Sequence, residues 1–155
     1  MKRMICLLSF VMLFAAVSAC FAADDANMGT WKLNEAKSKF SPGAAKNTSV
    51  VYEAVGDSVK VTVDGVDADG KPSHNEWTGK FDGKDYPLTG DPSADARSYK
   101  KIDDRTLELT NKKGGKTVVS GKITVSADGK TRTVAVSGTD ASGKKVTSTA
   151  VYDKQ

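Results

Sequence analysis

The stretch that decides the fold is "SVKVTVDGVDADGKPSHNEWTG", which runs from Ser58 to Gly79. In its first part Val59, Val61 and Val63 fall on one face, and mostly polar residues fall on the other. A period of two is typical of a half-buried strand in an antiparallel sheet. The following Asp69-Gly70 pair supplies the positive φ that a tight hairpin turn requires. The stretch therefore predicts a β-hairpin.

The same pattern continues along the rest of the chain. Turns rich in Asp and Gly separate about ten runs of β-branched and aromatic residues, which is the spacing of an all-β sandwich or barrel. Because most runs are joined by hairpin-length loops, we expect an antiparallel up-and-down β-barrel of about eight to ten strands, whose closure removes exposed sheet edges. The predicted strands are 29–33, 48–55, 58–66, 73–81, 85–89, 96–102, 106–112, 116–126, 131–138 and 145–153.

One segment after the first strand has a different character. "NEAKSKFSPG" offers Asn34 as a helix N-cap and stops at Pro42-Gly43. Two turns of helix are not stable without packing. We therefore expect only a short helical turn here.

The N-terminus has the composition of a secretory signal peptide. Two basic residues precede the apolar run from Met4 to Val17, and small residues follow up to Ala23. This order of basic, apolar and small residues is typical of an export leader. We expect a signal peptide over 1–23 and a single β-barrel domain over 24–155.

The leader leaves three outcomes open for localisation. "VSAC", ending at Cys20, resembles the lipobox of bacterial lipoproteins, in which the cysteine is lipidated. Ordinary cleavage after Ala19, Ala22 or Ala23 would instead release a periplasmic or extracellular protein. An uncleaved leader is about long enough to span a bilayer. If the leader is cleaved, the only attachment to a membrane that we expect is through a lipid on Cys20.

Charge and cysteine content exclude several classes of function. Removing Lys2 and Arg3 lowers the net charge from +4 to +2, and the remaining charges are mixed, which argues against a nucleic-acid partner. The two cysteines, Cys6 and Cys20, lie in or beside the leader, so the domain has no disulfide and no thiolate. A domain of about 130 residues can form one hydrophobic core without disulfides or metal sites. We expect the protein to be a monomer.

Catalytic and metal-binding patterns are weak. His74 is the only histidine, and it lies next to a turn without a partner that would build a site. "GVDADGKPSHNE" resembles a calcium loop, but Gly65 occupies the first ligand position and helices do not flank it. We therefore expect no enzyme activity, no metal site and no cofactor.

Aromatic and small residues indicate what the barrel could hold. Trp77, Gly79 and Phe81 fall on one strand face, with the glycine between two bulky rings. Such alternation fits either a filled barrel core or a cavity for one apolar ligand.

Two polar positions could orient such a ligand. Arg97 and Tyr99 share a strand face, and Tyr152 lies on the face of Ala150. An arginine beside tyrosine hydroxyls can recognise the polar head of a ligand. The alternative is that Arg97 is solvated, since charged residues are seldom buried unpaired.

The first strand resembles a known motif. Gly29-Thr30-Trp31 is similar to the G-x-W motif of the lipocalins, in which the tryptophan closes one barrel end. "GTWKL" and "TAVYDK" (Thr149 to Lys154) resemble the first and last strands of fatty-acid-binding proteins, which share the calycin superfamily with the lipocalins. The chain also resembles uncharacterised exported bacterial lipocalin-like proteins, which share "GTWKLN", "DGKDYP" and "VYDK".

The resemblance implies a ligand-binding function, but this chain departs from the pattern of the fatty-acid-binding proteins at one position. Fatty-acid-binding proteins grip a ligand carboxylate through Arg-x-Tyr in the last strand, but here Ala150 stands at the arginine position. We expect an exported, non-enzymatic protein that holds a small apolar ligand in the cell envelope. The alternative is a packed barrel that binds another envelope protein through the loops "DADGKP" and "TGDPSADA". The predicted ligand-binding residues are Trp31, Trp77, Phe81, Arg97, Tyr99 and Tyr152.

Overall fold

The computed structural model describes residues 25–139 and 142–155. The predicted signal peptide and Cys20 lie outside the described residues. Within these described ranges, eleven strands form one antiparallel sheet. They are β1 (Gly29–Leu33), β2 (Lys39–Phe40), β3 (Lys46–Val55), β4 (Ser58–Val66), β5 (Pro72–Gly79), β6 (Tyr86–Thr89), β7 (Ala96–Asp103), β8 (Thr106–Lys113), β9 (Lys116–Val125), β10 (Thr131–Thr139) and β11 (Lys145–Lys154).

The sheet closes on itself. Strand β1 pairs with β3 on one side and with β11 on the other, so β1 and β3 to β11 form a ten-stranded barrel. The predicted all-β up-and-down barrel is therefore confirmed. Closure gives the backbone of the first and last strands hydrogen-bonding partners that an open meander would lack.

The chain leaves the barrel wall briefly after β1. A 3-10 turn at Glu35–Lys37 is capped by Asn34, whose Oδ1 accepts a hydrogen bond from the Lys37 N–H at 3.2 Å. The predicted helical turn is confirmed. The chain then rejoins β11 through β2, where Phe40 pairs with Ser148. The sequence did not predict β2, because two residues are too few to show a period.

A glycine determines how closely aromatic rings pack in the wall. A Cβ atom at Gly79 would lie 2.5 Å from Cγ of Tyr86 and 2.7 Å from Cζ2 of Trp77. Trp77 and Phe81, the two rings predicted to flank this glycine, stack on each other, and Tyr86 is a further ring beside the glycine. Tyr86 reaches this place from the next strand, which the pattern of one strand does not show.

The N-terminal end of the described chain packs against the barrel core beside β1. Trp31 is fully buried, and its indole N–H donates a hydrogen bond to the Asn27 carbonyl at 2.8 Å. Asp25 accepts a hydrogen bond from Lys101 on β7 at 3.0 Å. Within residues 25–139 and 142–155, no helix has the length and apolar character needed to cross a membrane.

Candidate ligand site inside the barrel

A small cavity lies among the inward-facing side chains. Its volume is about 40 Å³. That is room for about three water molecules, and it is well below the roughly 300–1,000 Å³ of typical small-molecule pockets. The interior is therefore nearly filled. Its walls are five aliphatic residues (Val50, Val63, Leu109, Ile123 and Val134) and six polar or aromatic residues (Asn47, Tyr52, Arg97, Tyr99, Arg132 and Tyr152).

Arg97 lies inside the barrel. Its side chain is only 5% exposed, so the alternative that it is a solvated strand residue is wrong. Nε donates a hydrogen bond to Oδ1 of Asn111 at 2.8 Å, and Nη1 donates one to Oδ1 of Asn75 at 3.4 Å. The guanidinium also lies 5.9 Å from the ring centre of Tyr99. Neutral amides and a ring hold this charge, where a carboxylate would be expected.

Arg132 is a second buried arginine that the sequence interpretation missed. It lies on β10, it is 2% exposed, and its Cζ is 5.1, 4.9 and 4.8 Å from the ring centres of Trp31, Tyr52 and Tyr152. Its Nε and Nη1 have no hydrogen-bond partner within residues 25–139 and 142–155. Arg132 is two positions before the inward-facing Val134, so the period of two places both side chains on the same face of the strand. This alternation could have identified Arg132.

Among the residues that the structure describes, no acidic side chain neutralises the two guanidinium groups. The residues that line the cavity include no Asp or Glu, and the salt bridges found among the described residues involve Lys or His. An uncompensated charge in a protein interior costs several kcal/mol. The cavity therefore has a positive wall.

The neighbouring phenols do not supply the missing negative charge. Burial raises the pKa of Tyr152 to about 12, although the charge of Arg132 opposes the rise. Burial, followed by the influence of Tyr52, also raises the pKa of Tyr99 far above its usual value. Both hydroxyls therefore stay protonated at neutral pH. That of Tyr152 donates a hydrogen bond to the Asn47 carbonyl at 3.0 Å.

The structure separates the six predicted site residues into two groups. Arg97, Tyr99 and Tyr152 line the cavity, whereas Trp31, Trp77 and Phe81 do not.

Two of the residues outside the cavity belong to an aromatic cluster next to it. The ring of Trp77 stacks on Phe81, with centroids 6.4 Å apart, and meets Tyr99 edge-on at 4.8 Å. The indole N–H of Trp77 donates a hydrogen bond to the Arg97 carbonyl at 2.8 Å. This cluster therefore supports the backbone that carries Arg97.

The arginine that is absent from position 150 has a counterpart on the next strand. Ala150 is buried at that position, and Arg132 on β10 lies directly opposite Tyr152 in the strand register. An arginine and a tyrosine therefore meet inside the barrel, but the arginine comes from β10 and not from β11.

Comparison with known proteins identifies no family. No protein-family model and no curated protein matches the chain. One similar solved structure is EF1p2_mFAP2b bound to DFHBI, with 12% identity, a TM-score of 0.48 and coverage of 86% of this chain and 98% of that chain. Another is a redesigned β-barrel, mFAP1, bound to DFHBI, with 18% identity, a TM-score of 0.45 and coverage of 84% of this chain and 98% of that chain.

A second, larger groove has a different character. It encloses about 260 Å³ at the ends of β9 and β10, where Ser120, Ser137 and Lys145 contribute to its lining. These residues are half-buried or exposed. Water can satisfy their polar atoms, so the groove presents no unpaired buried charge. The interior cavity is the stronger candidate.

His74 lies apart from the cavity on the outer surface. Its Nδ1 is 2.6 Å from Asp64, and its Nε2 is 3.8 Å from Glu76. The hydrogen bond with Asp64 raises the pKa of His74. Among the residues that the structure describes, no group of three His, Cys, Asp or Glu side chains could hold a metal ion.

Proposed function

We propose that this chain is an exported, non-enzymatic binding protein that holds a small ligand through an anionic group inside the β-barrel. The observation that carries the proposal is that Arg97 and Arg132, 5% and 2% exposed, line one cavity whose described lining includes no acidic side chain. A bound anion would lie against the guanidinium of Arg132, whose Nε and Nη1 have no hydrogen-bond partner among the described residues. It would also offset the cost of two buried charges.

The dimensions of the cavity narrow the class of ligand. A planar carboxylate matches the donors of a guanidinium group. Space for about three water molecules accommodates a carboxylate with one or two further carbon atoms. The aliphatic walls at Val63, Ile123 and Val134 would contact those carbons. The ligand class proposed is therefore a short aliphatic carboxylate, where the sequence predicted a small apolar molecule with Arg97 as a candidate for binding its polar head.

Binding is proposed in preference to catalysis because of the chemistry of the lining. The side chains around the cavity offer two guanidinium groups, phenols, an amide and alkyl groups. General acid–base chemistry at neutral pH needs a group that titrates near that pH, such as an imidazole or a perturbed carboxyl group.

Titration calorimetry tests the proposal. The protein, expressed from its full-length gene, would be dialysed into a gluconate buffer, because gluconate is too large for the cavity. We expect sodium acetate and sodium propionate to release or absorb heat with saturation, and the neutral isostere acetamide to give none. Absence of binding and of thermal stabilisation with formate, acetate, propionate and butyrate would overturn the proposal.

The nearly filled interior also suits the alternative function. A packed barrel could bind another envelope protein through the turns at 67–72 and 89–96. The carboxylate titration distinguishes the two, because a packed barrel would remain unaffected by all four acids.

Export is tested separately from binding. Cell fractionation, combined with the intact mass of the mature protein, would locate the chain and define its N-terminus. An acylated N-terminal Cys20 would establish a lipoprotein, whereas a chain that starts near Ala23 would establish a released protein. A cytoplasmic protein that retains Met1 would contradict export.

A further inference from the structure

The partners of Arg97 are unusual for a buried arginine. Asn111 on β8 and Asn75 on β5 are each 8% exposed, and their amide oxygens accept hydrogen bonds from Nε and Nη1 of Arg97. Asn111 is also the direct cross-strand partner of Arg97. Two strands therefore fix the direction of the guanidinium without supplying a negative charge.

Packing does not explain this choice of residue. Asparagine and aspartate have nearly the same size and shape, so an aspartate at either place could accept the same hydrogen bonds. A charged acceptor would make those bonds roughly twice as strong and would neutralise Arg97. The amide is the weaker partner for the free protein, because it leaves a buried charge uncompensated.

We propose that Asn75 and Asn111 are specificity-determining residues of the cavity. They orient Arg97 and leave its positive charge available, so that the cavity selects a negatively charged ligand over a neutral molecule of the same shape. This inference rests on the proposed function of the barrel.

The same logic explains the different environment of Arg132. Aromatic rings surround that guanidinium, and a ring face also holds a cation without neutralising it. Amides beside Arg97 and rings beside Arg132 thus leave both positive charges in the lining of one small cavity. A carboxylate introduced next to either arginine would take the place of the ligand.

The test is an isosteric exchange that adds the missing charge. In Asn111→Asp we expect the affinity for acetate, measured by calorimetry, to fall by about 30-fold or more, since the internal carboxylate occupies Arg97. The midpoint of thermal unfolding without acetate should rise in the same variant. Asn75→Asp provides a second, independent variant if Asn111→Asp does not fold.

A control separates local neutralisation from net charge. Lys113→Gln, at an exposed position of the same strand, changes the net charge by the same amount without contacting Arg97. We expect its acetate affinity and unfolding midpoint to match those of the unmodified protein.

The outcomes distinguish this inference from the function on which it rests. If the unmodified protein binds acetate, and both Asn→Asp variants bind it with a dissociation constant within threefold of the unmodified value, the specificity role is wrong and the binding function stands. If the unmodified protein binds acetamide as tightly as acetate, selection for charge is wrong. If it binds neither, the proposed function itself fails.

Discussion

Replacement of Arg132 by methionine separates a binding role from a structural role. Methionine keeps much of the length and volume of the side chain but removes the charge and the donors. If Arg132 is kept for an anion, the protein should tolerate its loss when no anion is present. We expect the free energy of unfolding of Arg132→Met in gluconate buffer to lie within about 2 kcal/mol of the unmodified value.

The magnitude follows from opposing terms at this site. The free Nε and Nη1 groups of Arg132 are two buried donors without partners, and at about 1–3 kcal/mol each they destabilise the folded state by about 2–6 kcal/mol. Three ring contacts at 4.8–5.1 Å oppose this cost. At about 0.5–2 kcal/mol each they return about 1.5–6 kcal/mol. The two terms nearly cancel, and the sulfur of methionine retains some contact with the rings.

Acetate should reveal the difference between the two proteins. A ligand present at 100 times its dissociation constant stabilises the folded state by about 2.7 kcal/mol. For a domain of this size, each kcal/mol raises the unfolding midpoint by about 3–5 °C, so the unmodified protein should gain about 8–13 °C. Arg132→Met should gain almost none. The exposed Arg105 supplies the matched control, because Arg105→Met carries the same substitution away from the cavity.

Thermal and urea unfolding, with and without acetate, provide the assay. A loss of about 4 kcal/mol or more in Arg132→Met without acetate would show that Arg132 is a structural residue whose charge is satisfied in the folded protein. Equal stabilisation of Arg132→Met and the unmodified protein by acetate would refute the anion site.

Three further predictions concern other parts of the barrel. Gly79→Ala should lower the free energy of unfolding by about 1–3 kcal/mol in urea, because its Cβ would lie 2.5 Å from the Tyr86 ring; a change below about 0.5 kcal/mol would show that the ring moves freely. The raised pKa of His74 means that its pairing with Asp64 stabilises fully below the unfolded pKa and is lost as pH rises through the folded pKa. His74→Asn should remove this pH dependence from thermal unfolding, and an ordinary pKa by NMR would contradict it. Burial opposes the lowered pKa of Asp25, but hydrogen bonds from Asn27 and Lys101 prevail. The stabilisation that Asp25 gives the folded protein is therefore fully present above the unfolded pKa and is lost as pH falls through the folded pKa. If Asp25→Asn left the decrease in thermal stability at acidic pH unchanged, this would be disproved.

The strands were predictable because their signal is local. In Ser58–Val66 each inward valine alternates with an outward residue, and the predicted and observed bounds agree. The first strand, Gly29–Leu33, also matches its prediction. Strand β2 was not predictable, since it forms only where Ser148 and Thr149 of the last strand offer hydrogen bonds to it.

The candidate site was predictable only in part. Tyr99 and Tyr152 were predicted to line the interior, and Arg97 was predicted either to bind a polar head there or to be solvated. All three line the cavity. Arg132 was overlooked, although its spacing of two from Val134 places it on the same inward face. Trp77 was assigned to a ligand, but its position is decided by neighbouring strands, which place its indole N–H on the Arg97 carbonyl.

The sequence by itself determined the class of fold, because side-chain alternation and turn residues act over a few neighbouring positions. Only the tertiary structure decided the character of the interior. Arg97 and Arg132 belong to strands that are not adjacent in the sheet, and barrel closure brings both to one cavity of about 40 Å³. That no described acidic side chain lines this cavity is likewise decided by the packing of several strands. Burial and pairing of charge depend on distant residues that meet only when the barrel closes.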